Sequence, residues 1–338
     1  MHNCTPQTIS NPIHTMLYDE LSERRGRLER AASWSEEGQL VELLGAVDIA
    51  LQSLEDGSYG VCEKCDGAIE PDWLAVDPLT RVCLECLPPT ERRALEQDLT
   101  LASEIQTELL PERDFDTQEW EGHYFYQPHS SVSGDYVDVV HNGKETIVLF
   151  GDVAGKGVAA ALLMSHLNAI FRGLVGTDLP LNKMLEQANR MFCAAIPDAS
   201  FATLVAARFK LDGSVEISNA GHVPPLCHNG RVDRLPSNGV PLGLFCEVGY
   251  TSQTVQLDPG DRLVLATDGL IESRNSHDVE YGIDALSKLV GASRHDSPRD
   301  LIGRVLEDVE RFRAGSPTVD DTTVMVVRRK GDNTPLSS

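Results

Sequence analysis

Apolar residues in the first third of the chain recur at the spacing of amphipathic helices. One such series runs from Ile13 to about Arg30, and a second runs from Glu36 to Leu54. The polar segment Ser33–Ser35 separates the two series. We therefore expect a short antiparallel helical hairpin in this part of the chain.

A third helix is predicted from Thr90 to Leu110, because Pro111 cannot continue it. Its apolar residues form one stripe: Leu95, Leu99, Ala102, Ile105 and Leu109. Such a stripe is typical of a coiled-coil seam, which would join two copies of the chain as a homodimer through residues 90–110. A helix that packs on the domain following it shows the same pattern, so both interpretations stand.

Residues 111–330 alternate short apolar runs with turn residues, which indicates strands. We expect strands at residues 146–150, 201–209, 215–219, 262–267 and 322–327, with Asn229-Gly230 as a hairpin turn. Helices are expected at residues 158–171, near 283–289 and at 298–312. Strands in two groups with helices between them predict the α+β class, as a β-sandwich flanked by α-helices.

The formal net charge is −23, from 52 acidic and 29 basic residues. Because non-specific nucleic-acid binding depends on a basic surface, we expect no direct contact with nucleic acid. The most apolar stretch, residues 158–176, contains His166, Asn168 and Arg172, so we interpret it as a core helix and expect no membrane contact. Residues 1–11 lack a basic start followed by an apolar run, which favours a cytoplasmic protein without an export signal.

Four of the eight cysteines form two close pairs, Cys62 with Cys65 and Cys83 with Cys86, separated by 17 residues. Two such pairs supply the four thiolates of a tetrahedral zinc site, and in a reducing compartment they indicate metal rather than disulfides. A redox-active dithiol is the alternative. The remaining cysteines are scattered, and Cys193, Cys227 and Cys246 are interpreted as small core residues without partners.

The segment around these cysteines resembles the DksA/TraR-type C4 zinc finger. The matching pieces are residues 59–69 (YGVCEKCDGAI), 74–78 (LAVDP) and 83–86 (CLEC), and the preceding helices fit the hairpin of that family. The resemblance implies one structural Zn²⁺ and a contact between the hairpin tip and RNA polymerase. The tip here, residues 32–37 (ASWSEE), lacks the paired aspartates that the family uses.

Aspartates follow or border several apolar strands in the remainder of the chain. Asp152 comes at the end of one buried run, Asp268 at the end of another, and Asp320-Asp321 directly precede a third. A further acidic segment is residues 133–138 (SGDYVD), with Asp135 and Asp138. Mg²⁺ and Mn²⁺ prefer shells of carboxylate, carbonyl and water oxygens, so these segments are candidates for a shared metal centre.

If these aspartates converge, two cations about 4 Å apart would activate a bridging water for attack on a phosphate ester. Converging them without a cation would cost about 4 kcal/mol for each pair at 4 Å and intermediate dielectric. The hypothesis that these aspartates converge therefore requires that they also bind metal. Taken singly, each aspartate is also an ordinary turn residue.

The same segments resemble the PPM-type metal-dependent serine/threonine phosphatases of the SpoIIE/RsbU branch. The matching pieces, in order, are residues 104–111 (EIQTELLP), 133–138 (SGDYVD), 151–160 (GDVAGKGVAA), 219–225 (NAGHVPP), 239–243 (GVPLG), 266–272 (ATDGLIE) and 320–323 (DDTT). The resemblance implies the PPM fold, two Mn²⁺ or Mg²⁺ ions, and a phosphorylated anti-sigma-factor antagonist as the substrate.

By this resemblance Asp152 bridges both ions and the carbonyl of Val153 joins one of them. Asp135 binds on one side, Asp268 and Asp320 complete the other, and Asp138 and Asp321 hold metal-bound waters or a third ion. Asp152 and Asp268 are the catalytic residues of this assignment.

Two residues near these motifs need separate interpretations. Lys156 stands where the branch usually has histidine, and it could contact the phosphate, the acidic site or only solvent. The segment 151–157 is not a P-loop, because it is one residue short and lacks the Ser/Thr after the lysine. His222, in a Gly-His-x-Pro-Pro turn, is interpreted as structural.

The predicted organisation is therefore a hairpin and zinc finger at residues 1–89, a linker helix at 90–111, a phosphatase domain at 112–330 and a disordered tail at 331–338. The predicted function is a metal-dependent phosphoprotein phosphatase regulated through the zinc-finger module. The alternative is an RNA polymerase-binding regulator whose phosphatase-like domain is only a scaffold.

Overall fold

The computed structural model describes residues 17–18, 21–22, 25–26, 28–29, 38–70, 73–74, 77–177, 179–196 and 200–331. The chain divides into two compact units, Met1–Glu96 and Gln97–Ser338. The predicted hairpin tip at residues 32–37, residues 1–12 and nearly all of the predicted tail lie outside the described residues.

The first unit contains helix α1 (Gly38–Asp56) and helical residues at 17–18, 21–22, 25–26 and 28–29. Leu21 packs with Val47, Ala50 and Leu54 of α1 in a small apolar cluster. The cysteine pairs follow in a segment of turns, with a short 3-10 helix at Leu84–Cys86. Cys62, Ile69 and Cys83 form a second small cluster, so each part of this unit has little apolar core of its own.

Helix α2 (Pro89–Leu109) coincides with the predicted linker helix to within one residue at each end. Ile105, in the predicted apolar stripe, is 55% exposed, as is its neighbour Leu101. The buried residue of this helix is the polar Gln106. The described residues therefore leave part of the stripe facing solvent.

The second unit is built on two antiparallel sheets. Their strands, in chain order, are β1 (Asp114–Asp116), β2 (Trp120–Gln127), β3 (Asp135–His141), β4 (Glu145–Val153), β5 (Ala202–Lys210), β6 (Ser214–Ala220), β7 (Leu226–His228), β8 (Val232–Arg234), β9 (Gln253–Gln256), β10 (Arg262–Ala266) and β11 (Thr322–Arg329). One sheet has the order β1-β2-β11-β10-β7-β8 and the other has the order β3-β4-β5-β6-β9. The Asn229-Gly230 turn joins the paired strands β7 and β8, as predicted.

Helices cover the outer faces of the two sheets. They are α3 (Gly157–Val175), α4 (Leu181–Cys193), the short α5 (Asp268–Ile271), α6 (Gly282–Ala292) and α7 (Pro298–Arg313). Helices α3 and α4 pack on the five-stranded sheet, and α6 and α7 pack on the six-stranded sheet. Between the sheets lies a third apolar layer that includes Trp120, Phe150 and Phe209. The predicted β-sandwich flanked by helices is confirmed.

Helix α3 is the one described helix that is long and apolar enough to cross a membrane. Its residues Met164, Leu167 and Phe171 are buried against the sheet. Because these side chains are part of the protein core, α3 is the core helix that the sequence predicts.

The interpretation of Cys193 and Cys246 as unpaired residues is wrong. They form a disulfide across 53 residues, with Cα atoms 5.7 Å apart. Cys193 ends α4, and the side-chain amide of Asn189 on the same helix donates to the carbonyl of Phe245 at 2.8 Å. The helix thereby positions the loop after residue 243, and no sequence spacing signals this pairing. Cys227 is buried in the core, as predicted.

Candidate metal centre

Strands β3 and β4 place Asp135 directly opposite Asp152, as antiparallel partners. Gly134 allows this close approach: a Cβ atom there would lie 2.9 Å from the carbonyl oxygen of Val153 and 3.0 Å from Oδ1 of Asp152. The carbonyl of Val153 and the carboxylate of Asp152 thus face the same small space. Any side chain larger than hydrogen at position 134 would fill it.

The opposite sheet contributes Asp268 and Asp320. Asp268 begins α5 directly after β10, and Thr267 occupies the N-cap position. A Cβ atom at Gly269 would lie 3.1 Å from Cβ of Asp320 and would collide with the carbonyl of Asp321. The two acidic turns of this sheet therefore lie against each other, as predicted from their position at strand ends.

Two threonines connect the sheets at this point. The hydroxyl of Thr267 lies 3.2 Å from Oδ2 of Asp135, and the hydroxyl of Thr323 donates to the same oxygen. Both threonines are buried. They fix the carboxylate of Asp135, from one sheet, against the edge of the other. Both threonines belong to the sequence motifs at residues 266–272 and 320–323, but nothing in those motifs indicates contacts between the sheets.

The adjacent aspartates 320 and 321 have different partners. Asp321 accepts hydrogen bonds from the backbone N–H of His129 at 2.7 Å and of Gly134 at 2.9 Å, one to each carboxylate oxygen. Asp320 faces Lys156, with 3.0 Å between Oδ2 and Nζ, and its Oδ1 accepts from the backbone N–H of Asp321 at 3.0 Å. Asp321 thus anchors the loop that enters β3, whereas Oδ2 of Asp320 is paired with a side chain that can move away.

Gln106 of helix α2 also holds the entry to β3. Its side-chain amide donates to the carbonyl of Ser133 at 2.7 Å and accepts from the N–H of Ser133 at 2.9 Å. The hydroxyl of Ser133 accepts from the N–H of Asp135 at 3.0 Å. Gln106 is 4% exposed, so both hydrogen bonds are shielded from water. Helix α2 is therefore connected to Asp135 through two consecutive contacts, from Gln106 to Ser133 and from Ser133 to Asp135.

Burial and mutual repulsion raise the pKa values of these carboxyl groups. Burial and then the charges of Asp268 and Asp320 raise the pKa of Asp152 to about 8. Burial and then Asp152 raise the pKa of Asp135 well above its ordinary value, and burial and then Asp320 raise that of Asp268. Without metal these shifts favour the neutral acids, whereas a bound cation would stabilise the charged carboxylates.

The structure does not bring Asp138 to this cluster, in contrast to the prediction that it helps to hold metal. Asp138 is fully buried on β3, and its Oδ1 pairs with Nη2 of Arg172 on α3 at 2.6 Å. Burial raises its pKa, and the charge of Arg172 opposes that shift. Residues three apart on a strand face opposite sides of the sheet, which separates Asp138 from Asp135.

His222 is buried, and its Nδ1 lies 2.8 Å from the hydroxyl of Thr203. Burial lowers the pKa of His222 to about 4, so the ring is neutral near pH 7. Its backbone N–H donates to the side chain of Asn219 at 2.8 Å. These contacts agree with the structural role that the Gly-His-x-Pro-Pro turn indicates.

The four paired cysteines form a second candidate site, in the first unit. The sulfurs of Cys62, Cys65, Cys83 and Cys86 all lie within 4.8 Å of one another. The sulfurs of Cys65 and Cys83 are 3.7 Å apart, which matches the edge of about 3.8 Å that a zinc tetrahedron with Zn–S bonds of about 2.3 Å requires. Backbone N–H groups, first that of Cys83, lower the pKa of Cys62 to about 6. The residues present fit Zn²⁺.

Comparison with known proteins supports the fold and the phosphatase family. IcfG of Synechocystis sp. is 26% identical over 264 residues, which cover 69% of this chain and 41% of IcfG. The phosphoserine phosphatase RsbU of Bacillus subtilis is 24% identical over 243 residues, which cover 71% of this chain and 72% of RsbU. The chain thus spans less than half of one relative and nearly three quarters of the other.

Two solved structures share the architecture of the second unit. The SiaA-PP2C domain of Pseudomonas aeruginosa superposes with a TM-score of 0.62 at 18% identity, covering 70% of this chain and 98% of that domain. RsbX in complex with magnesium superposes with a TM-score of 0.50 at 14% identity, covering 64% of this chain and 98% of RsbX. Both likenesses concern the fold.

The family match covers more than half of the chain. Residues 142–330 match the family of Stage II sporulation protein E (SpoIIE), and this range contains Asp152, Asp268 and Asp320. The second unit shares the fold of the SiaA-PP2C domain and is similar to a named phosphoserine phosphatase, and the family match shows that the chain belongs to the SpoIIE family.

Proposed function

We propose that the whole protein is a Mn²⁺- or Mg²⁺-dependent phosphatase that hydrolyses phosphoserine or phosphothreonine in a protein substrate. The observation that carries the proposal is that Asp135 and Asp152, paired on neighbouring strands of one sheet, lie at the edge of the other sheet that carries the adjacent turns of Asp268 and Asp320. Mutual repulsion would make this arrangement unfavourable without cations, whereas carboxylates and a backbone carbonyl are suitable ligands for Mg²⁺ and Mn²⁺.

In this proposal Asp152 and the carbonyl of Val153 would help to hold the two ions. Asp135 would hold them from one sheet, and Asp268 and Asp320 from the other. Asp321 uses both carboxylate oxygens for backbone N–H groups, so its proposed role is to position Gly134 and Asp135. When bound, the two ions would supply a nucleophilic water and stabilise charge on the phosphoryl oxygens.

The proposed substrate is a phosphorylated anti-sigma-factor antagonist, and the proposed location is the cytoplasm. The named phosphoserine phosphatase RsbU, which aligns over most of its length, supports a phosphoprotein as substrate. The acidic net charge of −23 favours a protein rather than a nucleic acid as the partner.

The first unit is proposed to regulate the centre through helix α2. One structural Zn²⁺ held by the four cysteines would stabilise a unit that has little apolar core, since such sites contribute on the order of 10 kcal/mol to folding. The hydrogen bonds from Gln106 to Ser133 supply a physical connection from the helix to the strand that carries Asp135.

The test is hydrolysis of a chromogenic phosphate ester and of a phosphoserine peptide by the full chain across a Mn²⁺ titration. Asp152→Asn and Asp268→Asn should lower activity by at least about 100-fold, because even residues that only support a metal ligand contribute 10- to 100-fold. Asp258→Asn removes the same charge at an exposed turn, and it should keep wild-type activity. Equal activity of wild type and Asp152→Asn at every Mn²⁺ concentration would contradict the proposal.

A further inference from the structure

Lys156 extends from the N-terminus of helix α3 to the acidic centre. Its Nζ donates to the carbonyl of Val319 at 2.7 Å and pairs with Oδ2 of Asp320 at 3.0 Å. Lys156 occupies the N-cap position of α3, where its ammonium group has no acceptor for the free N–H groups of the helix. Its side chain instead contacts residues 319 and 320, which are distant in sequence.

The turn that carries Lys156 has a constrained backbone conformation. Gly155 and Gly157 on either side have φ angles of 110° and 68°, a region that residues with side chains rarely adopt. The backbone of this turn follows directly from Asp152 and Val153, so the lysine is carried by the same segment as the central carboxylate. The ion pair between Lys156 and Asp320 thus connects the segment that carries Asp152 to the segment that precedes β11.

The pair remains open to solvent. The side chains of Lys156 and Asp320 are 48% and 39% exposed. An exposed ion pair of this kind contributes little net stability, and a lysine side chain has several rotatable bonds through which it can move away. A divalent cation that binds Asp320 would meet a positive charge already at the carboxylate, and it would have to displace that charge.

We propose that the ammonium group of Lys156 competes with a divalent cation for the carboxylate of Asp320, and so weakens metal binding on the Asp268–Asp320 side of the centre. The inference depends on the proposed metal-dependent function and adds a residue that sets its metal requirement. In the metal-free protein Lys156 acts as a tethered counter-ion for part of the acidic cluster. Its displacement is part of the free-energy cost of loading the second ion.

The experiment is calorimetric titration of the metal-free full chain with Mn²⁺, with no substrate present. Lys156→Gln should bind Mn²⁺ about 3- to 10-fold more tightly at the weaker of the two steps, because a neighbouring positive charge is lost. Lys156→Arg keeps the charge and should bind as the wild type does. Lys183→Gln removes an equal charge from an ion pair with Glu186 on α4, and it should also leave Mn²⁺ affinity unchanged.

The possible results distinguish failure of the competition by Lys156 from failure of the proposed metal-dependent function. If the wild type binds Mn²⁺ and Lys156→Gln binds it equally or more weakly, the competition is refuted while the metal centre stands. If the wild type binds no Mn²⁺, or Asp152→Asn binds it as well as the wild type does, both proposals are wrong. Circular dichroism of each metal-free variant establishes that it is folded, and Lys156→Arg provides a second comparison should Lys156→Gln fail to fold.

Discussion

At the residue scale, strand β3 separates its two aspartates. Asp135 faces the candidate centre, whereas the alternation of the strand directs Asp138, expected to hold a metal-bound water or a third ion, to Arg172 on the other face of the sheet. Asp152 and Asp268, each beside a glycine at the end of a buried apolar run, could be chosen from sequence. The choice of Asp320 over Asp321 as a ligand stays a prediction, now supported by the two backbone hydrogen bonds that occupy Asp321.

The raised pKa of Asp152 predicts how stability varies with pH when Mn²⁺ and Mg²⁺ are absent. Its folded-state pKa of about 8 lies above the unfolded value of about 3.9, so the folded state binds more protons between these values. Stability of the metal-free protein should therefore fall as the pH rises from about 4 to about 8. Urea unfolding at a series of pH values, followed by circular dichroism, measures this slope.

The variant Asp152→Asn is the matched control for that slope. It carries no titrating group at position 152 and relieves repulsion on its neighbours, so its stability should decline less over the same pH range. Saturating Mn²⁺ should reduce the slope of the wild type, because the ion stabilises the charged carboxylates. Superimposable pH profiles for the metal-free wild type and Asp152→Asn would show that Asp152 is not in a repulsive buried cluster.

At the scale of elements, the strands of the sandwich were mostly predictable because buried apolar runs and turn residues mark their ends. Helix α4 was missed, although Leu181, Met184, Leu185, Ala188 and Phe192 repeat at helical spacing and are buried. The disulfide between Cys193 and Cys246 could not be predicted, because only folding brings α4 and the loop together.

Helix α2 provides a prediction at this scale. Gln106→Ala would remove both hydrogen bonds to Ser133 and leave buried backbone groups unpaired, at a cost of about 1–3 kcal/mol each. Because the same segment carries Asp135, the Mn²⁺ concentration for half-maximal activity should rise about 10-fold. A Mn²⁺ titration of peptide hydrolysis measures this change.

The control for Gln106→Ala is Glu104→Ala, an exposed residue on the same helix. It should leave the Mn²⁺ requirement unchanged, since it makes the same change in helix propensity without touching Ser133. An unaltered Mn²⁺ requirement in Gln106→Ala would mean that the helix does not act on the metal centre through this contact.

At the scale of the whole molecule, each of the two compact units contains side chains suited to a different class of metal ion. Four cysteine sulfurs lie together within Met1–Glu96, and Asp135, Asp152, Asp268 and Asp320 border one another within Gln97–Ser338. The cysteine spacing was sufficient to predict the first cluster, because its ligands are close in sequence. The second needed long-range pairing of strands, so its members could be proposed from sequence but their distances could not.

The zinc assignment predicts a unit-specific response to metal removal. Elemental analysis should find one zinc per chain, and a chelator should unfold residues 13–88 while the phosphatase domain keeps its melting transition. Cys62→Ser and Cys83→Ser should lose zinc, whereas Cys227→Ser, at a buried cysteine outside the cluster, should retain it. Zinc-free protein with an unchanged melting profile would exclude a structural zinc site.

The proposed function requires that Asp135, Asp152, Asp268 and Asp320 surround two divalent cations. Anomalous diffraction from crystals of the full chain grown with Mn²⁺ would locate these ions. We expect two manganese peaks about 4 Å apart, both in contact with the carboxylate of Asp152, with Asp135 on one side and Asp268 and Asp320 on the other. Absence of manganese beside Asp152 at saturating Mn²⁺, or peaks only at other acidic surfaces, would contradict it.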